Sequence, residues 1–207
     1  METLNKAMLA KGIDAILAQM TENREYLIEL DQQNGDGDLG ISMCDGFRNV
    51  KECLANTTEN DLGKLMQKSA NAFNEAAPSS LGTILTLGFL GMARALKGKE
   101  EATFAEFAQA FAKGLDCIME RAGSKPGQKT ILDALCPAAK AFQMNADDPQ
   151  MALKNAVDAA EAGSEATRNM VAVHGRAARY GEKTIGMLDG GSVAGRLIIK
   201  GIANTYE

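Results

Sequence analysis

Hydrophobic residues recur every three to four positions along most of the chain, a spacing that places them on one face of a helix. The pattern predicts a helix over about the first 20 residues and a short one over residues 26–30. Val, Ile and Thr are not gathered in short alternating runs, while Ala, Leu, Met, Glu and Lys dominate. The chain is therefore predicted to be all-α. The apolar positions of the first helix are Leu4, Met8, Ile13, Ile16, Leu17 and Met20.

Capping residues set the starts of the later helices. Five helices have a predicted cap. Asn60 or Asp61 caps 62–73, Ser79 and Ser80 cap 81–96, and Thr103 caps 104–121, with Glu106 completing a capping box. Thr130 caps 131–144, and Asp148-Pro149 opens 150–173. Further helices cover about 41–55 and 192–206. Ala152, Ala156, Ala160, Gly163 and Ala166 form a small-residue face that lets neighbouring helices approach closely.

About eight helices with short connections predict an antiparallel up-and-down bundle or barrel. We expect residues 1–207 to form a single domain, because no linker, repeat or low-complexity tract interrupts the pattern. Glycines cluster at 35–46, 82–91, 123–127 and 175–191. Alternate loops of such a bundle lie at the same end, so these turns are expected to converge on one rim.

Composition excludes several classes of function. The net charge of −5 and pI of about 5.1 argue against nucleic acid as a partner, since phosphate backbones need clustered Lys and Arg. The four cysteines form no CxxC pair and a single histidine is present, so a zinc site is not expected. Neither a signal peptide nor a membrane-spanning segment is visible. The sequence thus predicts a cytoplasmic protein with reduced cysteines and no membrane association.

The strongest candidate for chemistry is the segment LDQQNGDGDLG at residues 30–40. It carries Asp31, Asp36 and Asp38 among glycines that let the chain turn tightly around a small ion. Mg²⁺ takes hard oxygen ligands and often completes its shell with substrate phosphates and water. The segment therefore predicts a magnesium site that holds nucleotide phosphates. The alternative is an acidic, solvated turn without an ion.

Three other segments offer groups suited to phosphate, each with a purely structural alternative. Ser79 and Ser80 precede a helix whose first N–H groups are free to bind an anion, or they serve only as caps. Arg176 and Asp189 lie in the glycine-rich stretch 175–191, where an arginine suits bidentate phosphate contact or stacking on a purine. Lys129 could approach a phosphate from the stretch 125–135. No P-loop, kinase catalytic loop or GxGxxG motif is present.

Taken in order, these segments resemble the nucleotide-binding L subunit of bacterial dihydroxyacetone kinase, the DAK2 domain. The resemblance covers nearly the whole chain. It depends on the motifs LD-x4-DGD-x-G (30–40), M-x-x-GF (43–47), the Ser-Ser pair, PG-x-KT-x-LDAL-x-PA (126–138) and GRA-x3-GEKTIG-x2-D-x-G (175–191).

The resemblance implies a fold, cofactors and partners. The fold is an antiparallel barrel of eight helices with ADP or ATP at one rim, and two Mg²⁺ bridge its phosphates to Asp31, Asp36 and Asp38. A separate K subunit holds dihydroxyacetone, and a phosphohistidine M-type subunit of the sugar phosphotransferase system recharges the bound ADP. A homodimer is compatible with the resemblance. The residues implied around the nucleotide are Leu39, Gly40, Ile41 and Ser42 at the phosphates, Ser79 and Ser80 capping them, and Ala122, Ile131, Arg176, Asp189, Gly190 and Gly191 at the base and ribose.

The chain departs from the family pattern at three positions. Leu39, Leu81 and Gly190 stand where the family usually has His, Gly and Pro. These changes leave three alternatives open: a kinase subunit for another triose or for a tetrose such as erythrulose, the nucleotide domain of a fatty-acid kinase, and a non-catalytic regulatory module of the same fold. The length of 207 residues argues against the fatty-acid kinase, which is normally a much longer chain.

Overall fold

A computed structural model describes residues 3–206, and these residues confirm the prediction of an all-α fold. Nine α-helices and two 3-10 helices follow one another along the described residues. The α-helices are α1 (Lys6–Glu22), α2 (Arg24–Gln32), α3 (Leu39–Ala55), α4 (Leu62–Ala76), α5 (Ser80–Ala95), α6 (Phe104–Ala122), α7 (Leu132–Met144), α8 (Pro149–Ala166) and α9 (Gly190–Asn204). The 3-10 helices cover Thr167–Asn169 and Ala177–Thr184.

Eight of these helices form a closed ring, as the family resemblance implies. α1 packs against α3, each helix from α3 to α8 packs against the next, and α9 closes the ring on α1. Consecutive partners run antiparallel: a Cβ on Gly63, at the start of α4, would lie 2.6 Å from the Cα of Lys97, just after the end of α5. The closure is tight, since a Cβ on Gly201 would lie 2.7 Å from the Cα of Ile16. α2 is the additional helix and contacts α3 and α9.

The antiparallel order places the predicted segments at one end of the barrel. This end, called the rim below, holds the starts of α3, α5, α7 and α9 and the ends of α4, α6 and α8. The connections 56–61, 96–103 and 145–148 lie at the opposite end. There the backbones of Leu4 and Ala102 exchange two hydrogen bonds of 2.8 Å. The aspartate and glycine motifs therefore lie at the rim and not at the opposite end of the barrel.

The interior of the ring is apolar. Phe47, Phe73 and Phe142 are fully buried, and they belong to aromatic contacts with centroids 5.0–5.9 Å apart. An apolar cavity remains at the centre, lined by residues of α1, α3 to α7 and α9, and none of the three aspartates lines it. Between residues 3 and 206, no helix is both long and apolar enough to cross a membrane.

Most predicted caps are confirmed. The side chains of Asp61, Ser79, Thr103 and Asp148 accept hydrogen bonds from the first turns of α4, α5, α6 and α8, and Thr103 and Glu106 form the predicted capping box. The small-residue face of α8 packs against α7 so closely that a Cβ on Gly163 would lie 2.0 Å from the carbonyl oxygen of Asp133.

The end of one helix was predicted wrongly, and one predicted cap is part of a larger set of hydrogen bonds. α7 begins at Leu132, whose amide donates to the hydroxyl of the predicted cap Thr130 at 3.3 Å, and the amides of Gly127 and Thr130 donate to the carboxylate of Asp133. α8 ends at Ala166 rather than at residue 173. The hydroxyl of Thr167 donates to the carbonyl of Ser164 at 2.6 Å, and the chain tightens into a 3-10 turn at that point.

Candidate functional site

The loop between α2 and α3 is organised around Asp31. Asp31 lies in the last turn of α2, and its Oδ2 accepts hydrogen bonds from the amides of Gly37 at 2.7 Å and Asp38 at 3.1 Å. Gly37 has a φ of +75°, a conformation that glycine adopts without steric cost. The loop thus folds back onto the helix that precedes it, which brings Asp36 and Asp38 beside Asp31.

The three aspartates form a compact cluster of carboxylates. One oxygen from each of Asp31, Asp36 and Asp38 can be chosen so that all three lie within 4.8 Å of one another. Desolvation raises the pKa of Asp38 above its usual value, and the charges of Asp36 and Asp31 raise it further, while Arg176 lowers it. Like charges held this close favour a bound cation, and three carboxylates are the hard oxygen donors that Mg²⁺ prefers. The donor set therefore fits magnesium.

A second chain segment meets this loop from across the rim. It runs from Thr167, directly after α8, to Leu188 and is called the 167–188 segment below. Its Arg176 forms an ion pair with Asp36, with Nη1 2.5 Å from Oδ2. Asn34 donates to the sulfur of Met187 at 3.4 Å. Arg176, predicted to contact a nucleotide, therefore lies at the carboxylate cluster.

The start of α9 contributes a further acidic group. The carboxylate of Asp189 caps α9 by accepting from the amide of Ser192 at 2.6 Å. Burial raises the pKa of Asp189 to about 7, and the bond from Ser192 and the charge of Lys129 oppose that rise. Desolvation is thus the dominant influence on this carboxyl group.

The predicted pair Gly190 and Gly191 contacts other predicted residues. A Cβ on Gly190 would lie 2.8 Å from Cδ2 of Leu39, and a Cβ on Gly191 would lie 3.5 Å from the backbone nitrogen of Ile131. Leu39 and Ile131 are 7% and 2% exposed, so both pack beneath the surface of the rim. Because Gly190 and Gly191 have no side chains, the start of α9 packs directly against Leu39 and Ile131.

The remaining predicted residues occupy the first turn of α3 and the neighbouring helix ends. Gly40 and Ser42 are buried and Ile41 is 42% exposed. Ser79 uses its hydroxyl to accept from the amide of Gly82 at 3.1 Å. Ser80 and Ala122 are exposed at the start of α5 and the end of α6. The structure joins the aspartates to Arg176 by direct contact, whereas Ser79, Ser80 and Ala122 share the rim through topology alone.

Lys129 does not approach the carboxylate cluster with its ammonium group. It is 4% exposed, and Nζ donates to the carbonyls of Thr167, Thr184 and Met187 at 2.7, 2.9 and 2.6 Å. Thr167 and Thr184 are fully buried. The sequence drew attention to Lys129 only as a cation near a glycine turn. Its acceptors are backbone carbonyls, so no residue type marks them in advance.

Comparison with known proteins agrees with this architecture. The family model described as the DAK2 domain matches residues 33–204. The chain belongs to the DAK2 domain family. One relative is the ADP-binding subunit DhaL of PEP-dependent dihydroxyacetone kinase 2 from Listeria innocua serovar 6a. It is 33% identical over 99% of this chain and 96% of its own length. The ADP-binding subunit DhaL of the Escherichia coli K12 PEP-dependent enzyme is 30% identical over 82% of each chain.

A solved structure shows the same fold. The dihydroxyacetone kinase from C. freundii in complex with AMP-PNP and Mg²⁺ superposes with a TM-score of 0.77 at 23% identity. The match covers 98% of this DAK2 chain and 34% of the kinase, so this chain spans about a third of that protein.

Proposed function

We propose that this chain is the Mg-nucleotide-binding subunit of a dihydroxyacetone-type kinase, which passes a phosphoryl group to dihydroxyacetone held on a separate K subunit. The observation that carries the proposal is the cluster of Asp31, Asp36 and Asp38 with Arg176 beside it. The two DAK2 relatives support it, since both are named as ADP-binding subunits of dihydroxyacetone kinases.

The residues of the rim divide the work of holding a nucleotide. Asp31, Asp36 and Asp38 would hold two Mg²⁺, which neutralise the negative charge of the phosphates when bound. The first N–H groups of α3, at Leu39, Gly40 and Ile41, have no partner within their own helix and can orient phosphate oxygens. Ser42 completes this turn, and its amide donates to the carbonyl of Asp38 at 2.8 Å.

The start of α5 and the other rim residues would enclose the rest of the nucleotide. Ser79 and Ser80 present a second helix N-terminus to the phosphates. The guanidinium of Arg176 suits a phosphate oxygen or the face of a purine. The residues proposed around base and ribose are Ala122, Ile131, Asp189, Gly190 and Gly191.

Phosphoryl transfer requires the chain to position the phosphates and to neutralise their charge, and it requires no protein nucleophile. A bound nucleotide would supply the phosphoryl group that passes to the triose on the K subunit, and a phosphohistidine subunit of the M type would recharge it. The carboxylates, the free N–H groups and the guanidinium at the rim would hold and orient its phosphates.

The wider setting follows from the same proposal. Residues 1–207 act as one nucleotide-binding domain that docks to the K subunit through its rim, and a homodimer is compatible with this arrangement. The four cysteines are free thiols, which suits the reducing cytoplasm.

A reconstituted reaction tests the proposal. The purified chain is mixed with K subunit and dihydroxyacetone, and either ATP or a phosphohistidine protein charged from PEP serves as donor. We expect dihydroxyacetone phosphate to form with the parent chain and with Asp147→Asn, an exposed carboxylate between α7 and α8. We expect none with Asp36→Asn/Asp38→Asn. If the parent transfers nothing from either donor although it binds the K subunit, the chain is a regulatory module.

A further inference from the structure

The 167–188 segment is long, glycine-containing and without an α-helix of its own. Gly175, Gly181 and Gly186 have positive φ values of 64°, 53° and 90°. A segment of this kind keeps a defined shape only where specific contacts hold it. It nonetheless places Arg176 at Asp36 and leads directly into Asp189. Some group in the structure must therefore fix it to the barrel.

The contacts of Lys129 identify that group. Its ammonium donates one hydrogen bond to each end of the 167–188 segment, at Thr167 and Met187, and a third to Thr184. An ammonium has three donors, so these bonds use its full capacity. One side chain thus ties together points that lie 38, 55 and 58 residues further along the chain.

The backbone at Lys129 is strained in a way that its side chain explains. Its φ is 59°, and it is the one non-glycine residue between positions 3 and 206 with a positive φ. Lysine seldom adopts this conformation, because its Cβ crowds the backbone there. Burial also lowers the pKa of Lys129, with Asp189 acting in the opposite direction. The three hydrogen bonds of its ammonium offset both costs.

Other hydrogen bonds near Lys129 also hold the 167–188 segment in place. Gln128 bonds the ring of His174 at 2.7 Å, which adds a second tie between the turn before α7 and the segment. Thr167 donates within its own turn and accepts from the amide of Asp189 at 3.1 Å. Thr184 accepts from the amide of Ala172 at 3.0 Å. The two threonines bound by Lys129 thus make further hydrogen bonds, one to the start of α9 and one within the segment.

We propose that Lys129 is a positioning residue for the nucleotide site: its ammonium holds the 167–188 segment against the rim, so that Arg176 and Asp189 are in place before nucleotide arrives. This inference rests on the proposed nucleotide site. It assigns Lys129 no contact with phosphate, because the three donors of Nζ already bond carbonyls.

The test compares Lys129→Met with the parent and with Lys183→Met, an exposed lysine of the same segment. In Lys129→Met, we expect amide hydrogen exchange to accelerate at residues 168–188 and to stay unchanged in α3 to α6. We also expect the Kd for Mg-ADP to rise at least about tenfold, since hydrogen bonds from a charged donor are lost. Lys129→Arg, which keeps the charge and part of the bonding, should lie between the two. Lys183→Met should match the parent.

Equal Mg-ADP affinity and equal segment exchange in Lys129→Met and the parent would overturn the inference. Faster exchange spread evenly over all helices, with unchanged affinity of the folded protein, would also overturn it. If the parent itself does not bind Mg-ADP, the proposed function fails instead, and the two failures are separate.

A measurement on the unmutated chain covers the case in which Lys129→Met does not fold. An amine-modifying reagent is applied and each lysine is followed by mass spectrometry. We expect Lys129 to react far more slowly than exposed Lys125, and slower still with Mg-ADP present, because reaction requires the segment to lift. Equal reactivity of the two lysines, or no effect of Mg-ADP on Lys129, would contradict the inference.

Discussion

The guanidinium of Arg176 lies 2.5 Å from the carboxylate of Asp36, and this ion pair joins the 167–188 segment to the loop between α2 and α3. Both side chains are substantially exposed, so the pair contributes little to folding stability. The pair matters because the positive charge of Arg176 lies beside the three carboxylates, where it competes with a metal ion for them.

Arg176→Gln should affect metal and nucleotide in opposite directions. Removing the competing charge should tighten binding of Mg²⁺ alone by about two- to fivefold, the range of an exposed ion pair. Loss of the guanidinium should weaken binding of Mg-ADP by about tenfold. Isothermal titration calorimetry measures both, with Arg179→Gln as control. Unchanged or weaker Mg²⁺ binding would show that Arg176 does not compete at the cluster.

Gly35→Ala should damage the carboxylate cluster without unfolding the barrel. A Cβ at this position would lie 2.3 Å from Oδ1 and 2.9 Å from the carbonyl oxygen of Asp31, so Asp31 must move. We expect Mg²⁺ affinity to fall about tenfold or more. Gly12→Ala is the control, since its Cβ would meet nothing closer than 3.6 Å. Equal metal affinity in the two variants would contradict this geometry.

Asp189 should make the stability of the metal-free protein fall as pH rises. The pKa of Asp189 is about 7 in the folded protein, compared with the ordinary aspartate value of 3.8, so folding favours the protonated form. Its contribution is complete below pH 4 and disappears as pH rises to about 7. Urea unfolding in EDTA should therefore give a free-energy difference between parent and Asp189→Asn that declines by a few kcal/mol over this interval. Parallel curves would refute the raised pKa.

Gly163→Ala should destabilise the barrel by about 2–3 kcal/mol. The added Cβ would lie 2.0 Å from the carbonyl oxygen of Asp133, and a helix backbone cannot yield as a side-chain tip can. In contrast, Gly12→Ala should leave stability unchanged or raise it, because alanine is the better helix former. Urea denaturation of both variants checks the contrast. A neutral Gly163→Ala would mean that α7 and α8 are less closely packed than described.

Local signals predicted the fold well wherever they governed it. Asp61, Thr103 and Asp148 cap the helices that follow them, because each satisfies amides within its own first turn. Thr130 accepts from the amide of Leu132, but the carboxylate of Asp133 also binds the amides of Gly127 and Thr130, which the position of Thr130 before the helix does not predict. The end of α8 was misplaced because the hydrogen bonding of Thr167 outweighs the helical pattern that continues beyond it.

The candidate site also has one part that local sequence predicts and another that it does not. Asp31, Asp36 and Asp38 lie within eight residues, so their clustering could be predicted from the loop alone. The ion pair of Arg176 spans 140 residues of sequence, and its choice of Asp36 depends on how the segment is held. The role of Lys129 depends on distant backbone carbonyls. Contacts of these kinds arise only from the assembled barrel.

The most direct test of the central claim is calorimetric titration of Mg-ADP into the parent chain and into Asp36→Asn/Asp38→Asn, with Asp147→Asn as control. We predict that the parent and the control bind one nucleotide per chain, that EDTA abolishes binding, and that the double variant binds at least about a hundredfold more weakly. Equal affinity in parent and double variant, or parent binding that persists in EDTA, would contradict a magnesium-nucleotide site at these aspartates.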